Sequence, residues 1–451
     1  MSVVDLTWRS ALSYPDPYRD VAVEVAFTAP SGRRVEVDAF WDGGDRWRAR
    51  MALDEAGVWL YRATASRRDD RGLHDRYGRC RCTFPAAPAV TVSADTPYFQ
   101  GQDGRPCLVV GDATWEALGT TEAEAWGVYL GLRRLQGFTA VHTLLLPRAG
   151  TPWVTVDAEG RPQPQPGRLA QLERRLDAVV AHGLLPVLGI FPAVGPEDWG
   201  NRLAEPEAVR LGRYFVARFA ALRPLWLLAV GADCAVPHAA RWARIGAEIF
   251  SAGGAPMAGI LPRAGIPEST LDAQPWLRFL ALPATVTVGR GPRPILLLDA
   301  VERSGASPAT ARAFFYRALL GGPVGGLSVA PTASAFLDTA GTRAVTRLRS
   351  VLAGVPWTEL RPAPSVLAEC GGEPAAVAAR TRDGRDLVVY VPVGAALRLA
   401  DGALPRAASA RWINPAAGSW WRADPSSLVP PPAGQDWLLH IHGAALPHAA
   451  G

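Results

Sequence analysis

The stretch CLVVGDATWEALGTTEAEAWGVYLGLRRLQGFTAVHTLLLP, Cys107–Pro147, decides the fold. An apolar run, Cys107–Val110, ends in a polar burst, Gly111-Asp112-Ala113-Thr114-Trp115. Thr121 and Glu124 have the spacing of a capping box ahead of an amphipathic helix. Gly137-Phe138 closes that helix, and a second apolar strand, Ala140–Leu146, follows. The order is strand, loop, helix, strand, with polar residues at the first strand's carboxyl end. In a parallel barrel that end carries the chemistry.

Outward from this unit the same alternation continues. Candidate strands are Cys107–Val110, Ala140–Leu146, Pro186–Phe191, Leu225–Val230, Pro256–Ile260, Phe279–Leu282, Pro294–Leu298 and Gly326–Val329. Amphipathic stretches such as Arg168–His182, Pro206–Ala221 and Ala239–Ala252 lie between them. Eight strands alternating with helices predict a (β/α)8 barrel over residues 93–355. A doubly wound open sheet would want a glycine-rich phosphate loop after its first strand, and GDATWEALG does not supply GxGxxG.

The flanks read as all-β. In residues 1–92, Val21–Phe27 and Arg34–Phe40 alternate, and turns fall at Pro30-Ser31-Gly32, Asp42-Gly43-Gly44 and Glu55-Ala56-Gly57. Residues 356–451 return to short strands, Leu387–Val391, Ala410–Ile413 and Trp437–Ile441. Two β-sandwiches flanking the barrel are expected. Trp41, Trp47 and Trp59 read as core rather than as a sugar platform.

With 49% hydrophobic and 20% charged residues the chain is of ordinary globular composition. The net charge of +5 is small, and the basic residues, all arginine, are scattered, so no nucleic-acid partner is expected. No run approaches the roughly 20 apolar residues of a membrane span, so no membrane partner is expected either. The start, MSVVDLTWRS, lacks a basic region followed by an apolar one, and a cytoplasmic protein is expected. The five cysteines form no metal-type CxxC pair, and no metal or cofactor is expected. His440 and His442 share a strand face without further ligands and read as packing or surface residues.

The strings GDATW and GFT resemble the opening of the apiosidase-like (DUF4038-type) glycoside hydrolase barrel, whose first strand ends in GDTxW and whose second starts with GFN. YPDPYRDVAVEVAF, AFWDGGDRWRARM and DEAGVWLYRA resemble the DUF5060-type sandwich that often precedes it. PWTELRP, VVYVPVG and RWINPAAG resemble the collagen-binding-type sandwich that closes many such proteins. Relatives in this family are often exported. The resemblance is specific in the β domains and the first half of the barrel, and thin between about Pro256 and Ser304.

Glycoside hydrolysis needs two carboxylates flanking the scissile bond. Asp233 ends LWLLAVGAD and resembles the family's strand-four acid, which closes a GGD string; it also suits a cap for the helix that begins near Pro237. In PILLLDAVERSG, Asp299 occupies the position of the family's strand-seven Glu, and Glu302 lies near a second acid; the alternative is a polar strand end on a solvated loop. Two departures stand out. Leu261-Pro262 replaces a His-Pro pair, and WLRFLALPA carries Arg278 where the family has Asp.

Trp115, Trp153 and Phe191 follow the first three strands, where rings stack on sugar faces or simply pack. Asp112 is placed to bind a sugar hydroxyl or to cap a helix. His142 sits inside a strand, as a barrel residue or a site residue. The resemblance implies an O-glycoside hydrolase with Asp233 as general acid/base, Asp299 or Glu302 as its partner, and a carbohydrate substrate. The eroded pocket strings keep a second reading open, an inactive barrel that binds carbohydrate or serves assembly.

Overall fold

The computed structural model describes residues 3–86, 90–92, 97–148, 150–250, 256–265, 267, 269–283, 293–298, 308–322, 324–329, 340–368, 375–405, 408–425, 428, 431 and 434–444. Its centre is an eight-stranded parallel sheet of β7 (Val109–Ala113), β8 (Ala140–Leu144), β9 (Leu185–Pro192), β10 (Leu225–Ala232), β11 (Ala258–Pro262), β12 (Leu280–Pro283), β13 (Ile295–Leu298) and β14 (Val324–Val329). The order is β11-β10-β9-β8-β7-β14-β13-β12. A parallel bridge between Ala258 and Leu277 brings the two ends together. The result is the expected (β/α)8 barrel.

Helices α1 (Ala123–Leu135), α2 (Pro166–Ala181), α3 (Glu205–Phe219), α4 (His238–Phe250), α5 (Pro308–Gly321) and α6 (Ala340–Leu352) wrap the sheet. Val109, Ala140, Leu144, Val187, Leu227 and Leu296 form a cluster inside the barrel. The intervening residues Val110, Val141 and Leu188 belong to the larger core shared with the helices. This is the period-two alternation of a strand covered on both faces.

Two local expectations are corrected. The run Cys107–Val110 is not one strand. Pro106–Cys107 pairs with Phe99–Gln100 in a small separate sheet, and the barrel strand begins at Val109, so Gly111, Asp112 and Ala113 lie within it. Nor do Thr121 and Glu124 form a capping box: Glu122 occupies the cap of α1 without a side-chain cap bond. Thr121 is engaged elsewhere, its N–H closing the preceding turn on the Ala117 carbonyl.

Ahead of the barrel, β1 (Val3–Arg9), β2 (Val23–Thr28), β3 (Arg34–Trp41), β4 (Arg46–Ala52), β5 (Gly57–Ala65) and β6 (Arg76–Cys82) pair in the order β1-β4-β3-β2-β5-β6. Strand β3 pairs with β2 along its length but with β4 only at Phe40 and Trp41. The sheet folds over at that point and closes as a sandwich on Trp8, Phe27, Trp47 and Trp59. After the barrel, β15 (Leu360–Pro362), β16 (Val377–Thr381), β17 (Asp386–Val391), β18 (Ser409–Ile413), β19 (Trp420–Ala423) and β20 (Trp437–His442) form an antiparallel sheet ordered β15-β16-β17-β20-β18-β19. Every residue of β17 is buried, because one sheet face meets α5 and the other faces its own core of Leu387, Val389, Trp412 and Trp437.

Both β units are tied to the barrel by buried ion pairs. Arg218 of α3, fully buried, reaches Asp42 after β3 at 2.9 Å and Glu173 of α2 at 2.8 Å. Arg213 makes a fork on Asp38 at 2.8 and 2.9 Å. On the other side Arg312 of α5 makes a fork on buried Asp436, which also accepts from Tyr390 at 2.9 Å. Removing one member of a buried pair strands its partner's charge. Arg218→Met is therefore expected to lower unfolding stability by about 3–5 kcal/mol in chemical denaturation and to expose the 42–46 turn to limited proteolysis. An unchanged denaturation midpoint would show that the network contributes nothing net.

Candidate functional site

Strand β10 delivers Asp233 to the carboxyl face of the barrel. Its pairing with β11 shifts register twice, between Leu227 and Val230 and between Val230 and Ala232. Gly231 takes a φ of 76°, and a Cβ there would sit 2.4 Å from Val194 Cγ2, so glycine alone fits this kink. Bulges of this kind re-aim a side chain at a strand end. Beyond it, Asp233 Oδ1 accepts from the Ala235 N–H at 3.0 Å, the turn-capping role. Oδ2 faces Arg263 Nη2 at 3.3 Å, and the Asp233 side chain is 40% exposed. Asn201, His238, Arg241, Trp242 and Arg263 line the surrounding pocket of about 330 Å³.

Asp299 and Glu302 lie outside the described residues. Their strand, β13, ends at Leu298 and runs parallel to the rest of the sheet, so it ends on the same face as β10.

The polar burst of the first strand does something other than expected. Asp112 is fully buried and sits on the outer side of the wall, where it accepts from Tyr129 Oη at 2.7 Å and pairs with buried Arg133, both on α1. Arg133 in turn donates to Gln136 Oε1 at 2.7 Å and lies over the Tyr129 and Phe138 rings. Burial first, and then the Asp112 charge, hold the Tyr129 hydroxyl well above its ordinary pKa. This constellation locks α1 onto β7 and is not part of the cleft.

The aromatics divide. Trp153 is buried, and its indole donates to the Leu145 carbonyl at 2.6 Å. Phe191 is fully buried in the core. Both pack rather than present a face. Trp115 stays partly exposed at the rim and meets the His142 ring edge-to-face at 5.9 Å.

His142 lies between the inward-facing Ala140 and Leu144, inside the barrel and fully buried. Neither ring nitrogen has a hydrogen-bond partner among the described residues. A Cβ on Gly111 would fall 2.1 Å from His142 Nε2, so only glycine admits this ring. Burial pushes the imidazole pKa down from 6.5 to about 3.

Arg263, Arg241, His238 and Asn201 were not singled out from the sequence, although Arg263 directly follows β11, where barrel sites gather. No group of three or more metal-ligating side chains occurs among the described residues.

Residues 93–285 match the family model of the apiosidase-like catalytic domain, and residues 2–66 match that of DUF5060, a domain of unknown function. The barrel segment is apiosidase-like. A search of curated proteins finds no match. Among solved structures, a Bacteroides vulgatus protein provisionally described as a glycoside hydrolase superposes with a TM-score of 0.73 at 16% identity, covering 98% of each chain. A family 5 glycoside hydrolase from the same organism superposes at 0.62 and 16% identity, over 80% of this chain and 96% of its own. At such identities the likeness shows a shared fold, which in the first case extends from the N-terminal sandwich through the C-terminal sheet. No described helix is long and apolar enough to cross a membrane.

The buried apiosidase-like barrel histidine carries a pH signature. A depressed folded-state pKa means that the unfolded chain takes the proton first, so stability is intact above 6.5 and is lost as pH falls toward about 3. Denaturant titrations at neutral pH and at about pH 4.5 should show wild type losing about 2–3 kcal/mol more than His142→Leu. Equal losses in the two proteins would mean that His142 gains a partner or water on acidification.

Proposed function

We propose that the protein hydrolyses an O-glycosidic bond in an oligo- or polysaccharide, with Asp233 as general acid/base. The observation that carries this reading is the partly exposed Asp233 carboxylate, in a pocket at the carboxyl end of a strand of an apiosidase-like barrel. The acid protonates the leaving-group oxygen, and a second carboxylate, Asp299 or Glu302, attacks the anomeric carbon or activates water. A separation of about 5–5.5 Å between the two would give retention, and about 6.5–9.5 Å inversion. Trp115, at the rim beside His142, offers the sugar an apolar face. The pocket's volume is at the lower end of the roughly 300–1,000 Å³ typical of ligand sites, which suits recognition of a single sugar unit rather than an extended cleft.

A second reading, a barrel that binds carbohydrate without cleaving it, is favoured by the engagement of both Asp233 oxygens, one in a turn cap and one with Arg263. Asp233→Asn separates the two. Asparagine keeps an oxygen for the Ala235 N–H, so thermal stability should hold, while turnover should fall by roughly 10²- to 10⁴-fold on a substrate found in an aryl-glycoside and plant-oligosaccharide panel. A variant that retains its rate within a factor of a few would move the acid elsewhere. Wild type that cleaves nothing yet binds sugar in calorimetry, with loss of binding in Trp115→Ala, would establish the binding reading.

A further inference from the structure

A cavity of about 440 Å³ lies at the amino end of the barrel, where the N-terminal sandwich meets it. Trp226 stands at the start of β10, whose other end carries Asp233, so this cavity and the candidate site occupy opposite ends of the barrel. Its apolar wall comes from both units: Val35 and Val37 of β3 and Met51 of β4 from the sandwich, and Trp226 and Met257, just ahead of β11, from the barrel. The volume falls within the roughly 300–1,000 Å³ of ligand sites.

Four arginines line the cavity, Arg33, Arg50, Arg223 and Arg278, against one acid, Asp54. Two of the four have acidic partners. Arg33 pairs with Asp54 at 2.5 Å and with Glu55 at 3.1 Å. Arg50 is approached by Asp5 at 3.3 Å and by Glu173 at 3.6 Å. The other two do not. Arg223 donates to the Ala86 carbonyl and, among the described residues, pairs with no carboxylate. Burial pushes its pKa down, and Asp54, which opposes that shift, is already held by Arg33. The half-buried Arg278 bonds through its backbone N–H to the Ala258 carbonyl, while no described residue accepts from its guanidinium. Charged groups taken partly out of water beside an apolar wall are costly unless an anion meets them.

The backbone at Arg223 points the same way. This residue ends the turn Ala220–Leu222 at φ 54° and ψ 49°, directly ahead of Pro224. Glycine is the ordinary occupant of that left-handed conformation, and a following proline biases the backbone toward extended geometry instead. The chain nevertheless places an arginine there.

We propose that this cavity is a second ligand site, for an amphiphilic anion. The anionic head is met by Arg223 and Arg278, and the apolar body lies along Val35, Val37, Met51, Trp226 and Met257. A bare inorganic ion would use the guanidiniums and leave the apolar wall unfilled, whereas a neutral hydrophobe would leave both charges unmet. The bound molecule touches sandwich and barrel together. The site does not depend on the reading of Asp233.

The test is calorimetric titration of the full chain with octanoate and decanoate below their micellar ranges. Octanol serves as the neutral counterpart, octyl sulfate and octyl phosphate as alternative heads, and inorganic phosphate as a head without a body. Octanoate should bind at one site, roughly tenfold tighter than octanol, the factor a charge-assisted hydrogen bond supplies. Decanoate should gain about three- to fourfold per added methylene. Tightest binding by octyl sulfate or octyl phosphate would support the site and assign it that head. The preference over octanol should vanish in Arg278→Met and in Arg223→Gly, and the second change suits the left-handed backbone, so its melting temperature should hold. Should either variant fail to fold, the other decides. Octanol binding as tightly as octanoate, inorganic phosphate binding as tightly as octyl phosphate, or a preference that survives in a folded variant would overturn the proposal. Asp233→Asn should bind octanoate as wild type does, and a loss there would move the ligand to the opposite end of the barrel and overturn it too.

Discussion

The arginine at the heart of the first interface constrains the rest of the molecule. Arg218 projects from α3 with no solvent contact and binds an acid from the N-terminal sandwich and an acid from the neighbouring helix at once. It also donates to Tyr214 Oη at 3.1 Å, and Tyr214 donates to the Trp41 carbonyl at 2.9 Å. Arg48 and Arg50 approach the same acids from β4, at 3.3 Å to Asp42 and 3.6 Å to Glu173. Burial still pushes the Glu173 carboxyl above its ordinary range, despite the opposing pull of Arg218, Arg50 and Arg48. Desolvation thus consumes much of the Coulombic gain, as it does for buried ion pairs generally. What the network secures is geometry. Charges that are costly to leave unpaired accept one docking of the sandwich on α2 and α3.

The opposite side of the barrel repeats the device with different residues. Arg312 on α5 binds Asp436 just ahead of β20, Tyr390 binds the same carboxylate, and Tyr316 of α5 stacks on Tyr390 with ring centres 5.0 Å apart. Farther along that sheet, Asp386 receives both His440 and His442, at 2.7 and 3.0 Å, and Arg411 spans from His440 to the Gly354 carbonyl beyond α6. His440 is therefore a packing residue of a sheet that docks on the barrel, whereas His442, with its side chain 59% exposed, stays at the surface.

The strands and helices were legible in the sequence because each barrel strand is a short apolar run and helices such as α2, α3 and α4 show a 3.6-residue stripe. The direction of individual side chains was not. Strand β7 is buried on both faces over all five residues, so alternation of hydrophobicity cannot say whether Asp112 points into the barrel or toward α1. Only the Tyr129–Arg133 spacing on α1, two polar groups one turn apart in an otherwise apolar helix face, hints that an acid awaits them. Trp153 and Phe191 follow strands as a platform would, yet burial depends on what covers them, which is tertiary information. Arg263 carries no signal of its own in the sequence, because a single charge just after an apolar strand end such as Leu261-Pro262 is ordinary for a solvated loop. The segment bearing Asp299 and Glu302 is legible only as a position after β13.

Asp233 shows why scaffold and chemistry must be argued apart. A parallel barrel brings every strand's carboxyl end to one face, whatever residues stand there. The kink at Gly231 and the N–H of Ala235 would hold any short oxygen-bearing side chain at 233 in much the same place. What the scaffold does not dictate is the company the acid keeps. Here it is two arginines, one anchored to carbonyls and one exposed, lining the same pocket. Arg241 has a structural use in tying the Gly200 and Leu203 carbonyls, but a neutral donor would serve them. Among the described residues the Arg263 side chain meets Asp233 alone. The position of the acid is thus a property of the fold, whereas the charges around it are a property of this sequence.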